Sequence, residues 1–192
     1  MTKRLLNITF ILTIIMSACN GQSKESSDTL KIKDFDFKSW FGYKKNTKTD
    51  HNHSLLGTGF FRTPRADNID TLISTWIEEH PNAIVIPVYT FGPTMTADPN
   101  SKQTYCWVVD NSDTLNLFLV KNGAVPGGTM QRPKTWKEMS RKEKEFYDDR
   151  PDEEVHVSDH EYDEYIEKVK IADEFARENK LGIYEDQETE NE

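Results

Sequence analysis

Two cysteines are all that the 192 residues contain, and no apolar run is long enough to cross a bilayer. The longest such run, residues 5–16, has about a dozen residues, whereas a spanning helix needs roughly 20. Several catalytic signatures are missing too: there is no Gly-x-Ser-x-Gly elbow, no phosphate-binding loop and no Cys/His nucleophile pattern. The sequence also has no internal repeat. No short catalytic motif of these kinds therefore indicates an enzyme.

Positive charge is also scarce. Lys and Arg number 24 against 33 Asp and Glu, which gives a net charge of −9. An average surface of this sign repels the phosphate backbone of nucleic acids. Non-specific nucleic-acid binding is therefore disfavoured, although a local basic groove remains compatible with the composition.

The N-terminus has the pattern of a secretory signal. Lys3 and Arg4 precede the apolar run 5–16, and small residues follow before Cys19. With cysteine at that position, the segment resembles a bacterial lipoprotein signal, in which residues 1–18 are removed and Cys19 becomes an acylated N-terminus. Such acyl chains hold a soluble domain at a bilayer surface. The alternative is an ordinary signal peptide with an incidental cysteine.

The lipoprotein interpretation makes residues 19–29 a polar tether. Asn20 follows the cysteine, which favours the outer membrane if the organism has one. Cleavage removes two basic residues and leaves 22 against 33, a net charge of −11. Cys106 is then the only free cysteine, so no internal disulfide is possible. Its neighbours in "TYCWVV" predict a buried strand cysteine.

The remaining chain predicts one α+β domain over residues 30–184, followed by a solvated acidic tail at 185–192. One or two strands are expected near residue 40, then a helix over 67–79 and strands at "AIVIPVYTF" and "QTYCWVVD". Pro87 predicts an edge strand or a bulge. A short helix is expected to end at Gly123, and a long one to begin at the Ser158/Glu161 capping box and to end at Gly182.

Two polar regions are predicted to be solvated. Residues 131–154 form a dense charge run, which favours an exposed excursion with one helical stretch. The letters "HNH" at 51–53 lack the spacing of a metal-binding motif, so loop histidines are expected there. His156 is expected to lie outside the long helix.

Two stretches together resemble the second half of staphylococcal-type thermonucleases. The first is "TYCWVVDNSDTLNLFLVKNG" and the second is "YIEKVKIADEFARENKLGIYED". The resemblance implies an OB-type five-stranded β-barrel with about three helices, in which Gly123 caps the small helix. The residues that match the family pattern are Asn116, Leu119, Val120, Lys121, Gly123, Ala172, Ala176, Lys180, Leu181, Gly182 and Ile183, with Tyr184 where Trp is usual.

The family's nuclease motifs are not intact in this sequence. Those enzymes bind calcium through carboxylates and stabilise phosphate with arginines. Here there is no Asp-Gly-Asp-Thr turn, and Thr63 and Arg65 flank Pro64 where acidic residues are usual. We therefore expect no metal site and no cofactor, with calcium required only if the chain is a nuclease.

Three functions follow from this resemblance. The leading one is non-catalytic binding or scaffolding by a lipid-anchored cell-envelope protein with a protein or glycan partner. The alternative is a surface nuclease with a rearranged active site that draws on candidate phosphate-binding residues. The third is glycan recognition through Trp40, Trp107 and Trp136. The candidate phosphate-binding residues are Arg62, Arg65, Lys102 and Arg132.

Overall fold

The computed structural model describes residues 29–47, 51–59, 62–94, 98–147 and 150–185. These residues form a mixed α+β structure, as the sequence predicts. Single 3-10 turns occupy Ile32–Asp34 and Gly182–Tyr184. The strands and helices are β1 Phe35–Lys38, β2 Phe41–Lys44, β3 His51–Leu55, α1 Ile69–Glu79, β4 Ile84–Gly92, β5 Lys102–Asp110, β6 Asp113–Thr114, α2 Leu115–Lys121, α3 Arg141–Lys144, β7 Asp152–Val155 and α4 Asp159–Glu178.

The strands lie in one seven-stranded sheet instead of the five-stranded barrel that the resemblance implies. The order is β1-β2-β3-β5-β4-β7, and β6 pairs with β5. The ladder between β3 and β5 is parallel, and the other ladders are antiparallel. The sheet is not closed into a barrel. A single antiparallel bridge, Lys31 to Ile84, joins the segment before β1 to the start of β4.

Helix α1 follows the predicted apolar stripe. Ile69, Ile73 and Trp76 are buried, with Leu72 and Ile77 packed at the border of the core. Asn68 occupies the N-cap position without a side-chain capping bond, and the helix ends before Pro81. The stripe is buried because it lies against the sheet and α2.

Pro87 lies at a bulge in β4, and β4 is not an edge strand. The register between β4 and β5 shifts between Pro87 and Tyr89. β4 itself lies between β5 and β7, so the edge-strand alternative is wrong. Cys106, opposite Pro87, is fully buried as predicted, and burial raises the pKa of its thiol.

Gly123 ends α2 in the left-handed conformation, with φ +63°. The N–H groups of Gly123 and Ala124 donate to the carbonyls of Val120 and Leu119 at 2.9 Å, which is a Schellman motif. The Gly123 carbonyl then accepts from Ile183 N at 2.9 Å. This glycine therefore closes one helix and receives the chain that follows α4.

The predicted end of α4 at Gly182 is wrong. The helix ends at Glu178, and Lys180 takes the left-handed position with φ +51°. Leu181 N donates to the Ala176 carbonyl at 2.9 Å, so the Schellman motif falls two residues earlier than the glycine. Gly182 also has positive φ, +53°, but it does not end the helix. Glycine is required at this position because a side chain would meet the backbone of Gly123.

The charge run contains more regular structure than the sequence predicts. It includes α3, which begins at a Ser140/Glu143 capping box, and the unexpected strand β7, which pairs with β4. The Ser158/Glu161 capping box of α4 is confirmed. β7 was missed because its residues, "DEEV", have no apolar alternation.

No helix in the described part of the chain is long and apolar enough to cross a membrane. The predicted signal peptide and Cys19 lie outside the described residues. The same is true of most of the tether and of residues 186–192 in the acidic tail.

Candidate binding cleft

A cleft of about 530 Å³ lies between β4 and the excursion formed by residues 131–147 and 150–151. One wall is the sheet, with Tyr89, Phe91 and Tyr105 side by side. The other wall comes from the excursion and carries Tyr147 and Met139. The lining is mostly aromatic and apolar, with charged groups at the rim, which is the usual composition of a ligand site.

The three sheet residues form an aromatic row. The ring centroids of Tyr89 and Phe91 are 6.0 Å apart, and those of Phe91 and Tyr105 are 6.1 Å apart. The row exists because Tyr89 and Phe91 alternate by two along β4, and Tyr105 is the cross-strand partner of Tyr89. Burial raises the pKa of both tyrosines, so their hydroxyls stay protonated.

Glu153 of β7 holds the excursion against the sheet. Its side chain is only 7% exposed and accepts from Tyr89 Oη at 3.0 Å and from Trp136 N at 2.9 Å. Arg150 pairs with it at 3.1 Å. With three donors, the hydrogen-bonding capacity of this buried carboxylate is satisfied. The three contacts connect Glu153 to the sheet, to the excursion and to the rim of the cleft.

Arg132 supports the same wall from the side of α4. It makes a two-pronged contact with Glu138, at 2.7 and 2.9 Å, and lies 4.5 Å over the Tyr162 ring. This pairing raises the pKa of Arg132, and the same hydrogen bond lowers the pKa of Glu138 to about 2. The Arg132 side chain is 7% exposed, so its guanidinium is committed to the protein.

The rim of the cleft carries two more charged groups, Lys134 and Asp152, each with a partner. Lys134 pairs with Glu143 at 2.6 Å. Lys102 pairs with Asp152 at 2.7 Å, across the start of β5 and β7. The rim is therefore charged but locally neutral.

The histidines of "HNH" are in a strand, which corrects the predicted loop. Both belong to β3, their rings stack at 4.7 Å, and His53 is 5% exposed. A line of hydrogen bonds crosses the sheet from His51 Nε2 to Thr104 Oγ1 at 2.7 Å, to Thr90 Oγ1 at 2.8 Å, and to His156 Nε2 at 2.9 Å. His156 precedes α4, as predicted. This line satisfies the buried hydroxyls between the strands.

Acidification is expected to destabilise the fold through His53. Burial, helped by His51 and Lys44, lowers the pKa of His53 to about 3, against about 6.5 in the unfolded chain. Below pH 6.5 His53 is therefore protonated in the unfolded state but stays neutral in the folded state. The free energy of unfolding falls as the pH falls, until the pH reaches about 3. At pH 5 the loss from this group is roughly 2 kcal/mol.

Urea unfolding at pH 7.5 and pH 5.0 measures this loss. Carboxylates such as Glu138 also lose stabilisation in acid, so the informative comparison is with His53→Leu. That variant is expected to reduce the difference between the two pH values by roughly 2 kcal/mol. An unchanged difference would contradict the assignment to His53.

The structure does not bring the four candidate phosphate-binding residues together. Arg65 Nη1 donates to Ser39 Oγ at 3.2 Å, beside the β1–β2 turn that hydrogen-bonds to the end of β3. Lys102 lies opposite His51 in the β3–β5 ladder, at the start of β3. Arg62 is exposed near Arg65, and Arg132 supports the cleft wall. Cys19 is outside the described residues.

No group of three His, Cys, Asp or Glu that could hold a metal ion occurs within the described ranges. Near Arg65, Asp70 accepts from Ser39 N at 2.7 Å. Of the tryptophans proposed for glycan recognition, Trp40 is buried and the Trp107 ring centroid lies 4.2 Å from that of Tyr165. Trp136 lies beside the cleft, with its ring centroid 6.0 Å from that of Tyr147.

No family model matches the chain, and no curated protein matches it either. The resemblance to thermonucleases therefore stays a prediction.

The residues of the cleft were not predicted from the sequence. The alternation of Tyr89 and Phe91 within one strand was the available signal, because it puts both rings on one face. The position of Tyr105 opposite them depends on the bulge at Pro87. The excursion that completes the cleft depends on Glu153, in a segment expected to be solvated.

Proposed function

We propose that this chain is a lipid-anchored cell-envelope protein whose domain binds a ligand in the aromatic cleft without catalysing its cleavage. The anchor is Cys19, and the site is the cleft that Phe91 and Tyr147 line, together with the small exposed parts of Tyr89 (2%) and Tyr105 (8%). The domain itself is proposed to be thermonuclease-like.

An OB-type origin for this sheet is supported by its topology. The order β1-β2-β3-β5-β4 includes a parallel β3–β5 ladder. The bridge between Lys31 and Ile84 brings the segment before β1 to β4. These are the connections of a partly open five-stranded barrel, to which β6 and β7 are additions.

One observation carries the preference for binding over catalysis. Arg132 and Lys102 are each paired with a protein carboxylate at 2.7 Å, and Arg65 lies at the other end of β3 from Lys102. Phosphoryl chemistry needs cations directed at one point where charge develops. A cleft with an aromatic lining and a locally neutral rim instead favours a ligand with flat apolar faces and little charge.

Oligomers of N-acetylglucosamine are the probe for this site, because they are uncharged and present the flat faces of sugar rings. We expect the full-length protein to bind them without cleaving them, and Tyr147→Ala to weaken binding roughly 10-fold, since an aromatic contact is lost. Tyr43→Ala is the matched control, because Tyr43 is 50% exposed and Tyr147 is 44% exposed.

Isothermal calorimetry with the wild type and both variants measures this difference. Equal affinity in the two variants, or no binding by the wild type, would contradict the assignment of the cleft to this ligand class. Release of cleaved fragments would contradict a non-catalytic role.

A further inference from the structure

Residues 131–147, called here the basic segment, have the opposite charge to the rest of the molecule. They contain six Lys and Arg and three Glu, a net charge of +3. The remaining residues contain eighteen basic and thirty acidic side chains, a net charge of −12. The basic segment is therefore a local excess of positive charge in an acidic protein.

The same segment exposes large apolar side chains. Phe146 is 82% exposed, and Tyr147 beside it is 44% exposed. A shallow notch of about 520 Å³ runs under Phe146 and is lined by Pro133 and Met139. Phe146 is the most exposed large apolar side chain among the described residues, and it follows the helix α3 with its basic side chains.

Several side chains of the basic segment are free to meet a partner. Lys137 and Lys142 are exposed, and neither forms an ion pair within the described part of the chain. Arg141 is 96% exposed and lies 3.5 Å from Glu145, a weak surface contact.

Internal contacts fix the shape of the basic segment. The Ser140/Glu143 capping box and the Lys134–Glu143 pair hold α3. Trp136 N donates to Glu153, which ties the segment to β7. Phe146 and its basic neighbours are thus presented from a supported surface.

We propose that the basic segment docks on the anionic surface of the bilayer that holds the lipid anchor. Phe146 enters the headgroup region, while Lys137, Arg141 and Lys142 contact lipid phosphates. Basic residues beside an exposed aromatic ring are the combination that favours an interfacial position. A soluble polyanion would complement the positive charge of the basic segment equally well, but it has no apolar layer into which Phe146 could insert. This inference rests on the proposed lipid anchor.

The length of the tether permits this arrangement. Val85 N donates to the Leu30 carbonyl at 2.8 Å, so the chain enters the domain at the start of β4. The basic segment lies at the other end of β4, beside Gly92, about 30 Å away at roughly 3.3 Å per residue. The ten residues from Asn20 to Thr29 reach at most about 35 Å, which allows anchor and segment to meet one bilayer.

A fluorescent probe beside Phe146 tests the docking in the full-length lipidated protein. Glu145→Cys adds an accessible thiol, since Cys106 is buried and Cys19 is proposed to be acylated. The labelled protein is reconstituted into phosphatidylcholine vesicles with or without phosphatidylglycerol. Only with phosphatidylglycerol do we expect a blue-shifted emission, quenching by brominated lipid, and reversal of both by high salt.

Variants in this labelled background separate specific docking from general attraction. Lys137→Glu with Lys142→Glu is expected to lower the ratio of docked to undocked protein at least about 25-fold, since each cation near an anionic surface contributes about fivefold. Lys38→Glu with Lys168→Glu makes the same charge change elsewhere and should leave the ratio unchanged. Phe146→Ser should reduce quenching, whereas Ile171→Ser, at a site 59% exposed, should not.

The outcomes distinguish the two proposals. A protein that floats with anionic vesicles while its probe stays in water overturns the docking and leaves the anchor intact. A protein that does not float with any vesicle overturns the anchor. A probe that responds to an added oligonucleotide but not to anionic vesicles overturns the bilayer as partner.

Discussion

Replacing Gly123 by Val is expected to lower the free energy of unfolding by roughly 4 kcal/mol, a large part of the stability of a typical domain. Two costs add. A β-branched residue in the left-handed conformation costs about 1–2 kcal/mol. In addition, a Cβ at this position would lie 2.6 Å from the Leu181 carbonyl carbon, so the chain after α4 would have to move.

Gly128→Val is the matched control for that prediction. Gly128 also has positive φ, +77°, but the nearest atom to a Cβ there is Gln131 Nε2 at 3.8 Å. Only the backbone cost remains, so we expect a loss of about 1–2 kcal/mol. Equal losses in urea unfolding of the two variants would show that the contact between Gly123 and the end of α4 is unimportant.

Replacing Cys19 by Ser is expected to remove the protein from the membrane fraction almost completely. Each buried methylene of an acyl chain contributes about 0.8 kcal/mol, and no other anchor of comparable strength is proposed. The amount that floats with membranes should fall more than about 10-fold, and an alkyne-labelled fatty acid should no longer be incorporated.

Ser23→Ala, in the predicted tether, is the control and should behave like the wild type. A Cys19→Ser protein that still incorporates the labelled fatty acid would contradict acylation at that residue. One that loses the label but still floats would show that another element holds the protein at the membrane.

The parts of the fold that the sequence predicts well are those with strong local signals. The stripe from Ile69 to Ile77 repeats at helical spacing, and Ser158 with Glu161 forms a capping box from residues three apart. Gly123 ends α2 because both its local pattern and its packing require positive φ. These features depend on neighbours within one or two turns, so a single sequence contains the information.

The errors have a common physical origin in contacts between distant residues. α4 ends with Lys180 in the left-handed position, although the sequence offers Gly182. The glycine at 182 is required by its contact with Gly123 and not by the end of the helix. β7 forms without apolar alternation because it adds to β4. His53 is buried because β2 and β5 flank β3 and Phe35 packs against its ring at 4.8 Å.

The candidate site was less predictable than the fold for the same reason. Tyr89 and Tyr105 become neighbours only through the β4–β5 register, and Glu153 completes the cleft from β7. Arg132 was singled out as a phosphate ligand because the sequence does not reveal Glu138 as its partner. A charge in a sequence indicates a free charge only when the fold supplies no counter-ion.

Hydrolysis of nucleic acid is the measurement that tests most directly whether the domain binds without catalysis. The purified full-length protein is incubated with plasmid DNA and single-stranded RNA in the presence of calcium, and then of magnesium, manganese and zinc. We expect no cleavage, because Arg65 follows Pro64 where the thermonucleases that the chain is proposed to resemble have a carboxylate, and a guanidinium repels a divalent cation. Cleavage with calcium that EDTA abolishes would contradict a non-catalytic role, and cleavage with another metal that is lost in Arg65→Ala would establish the rearranged nuclease instead.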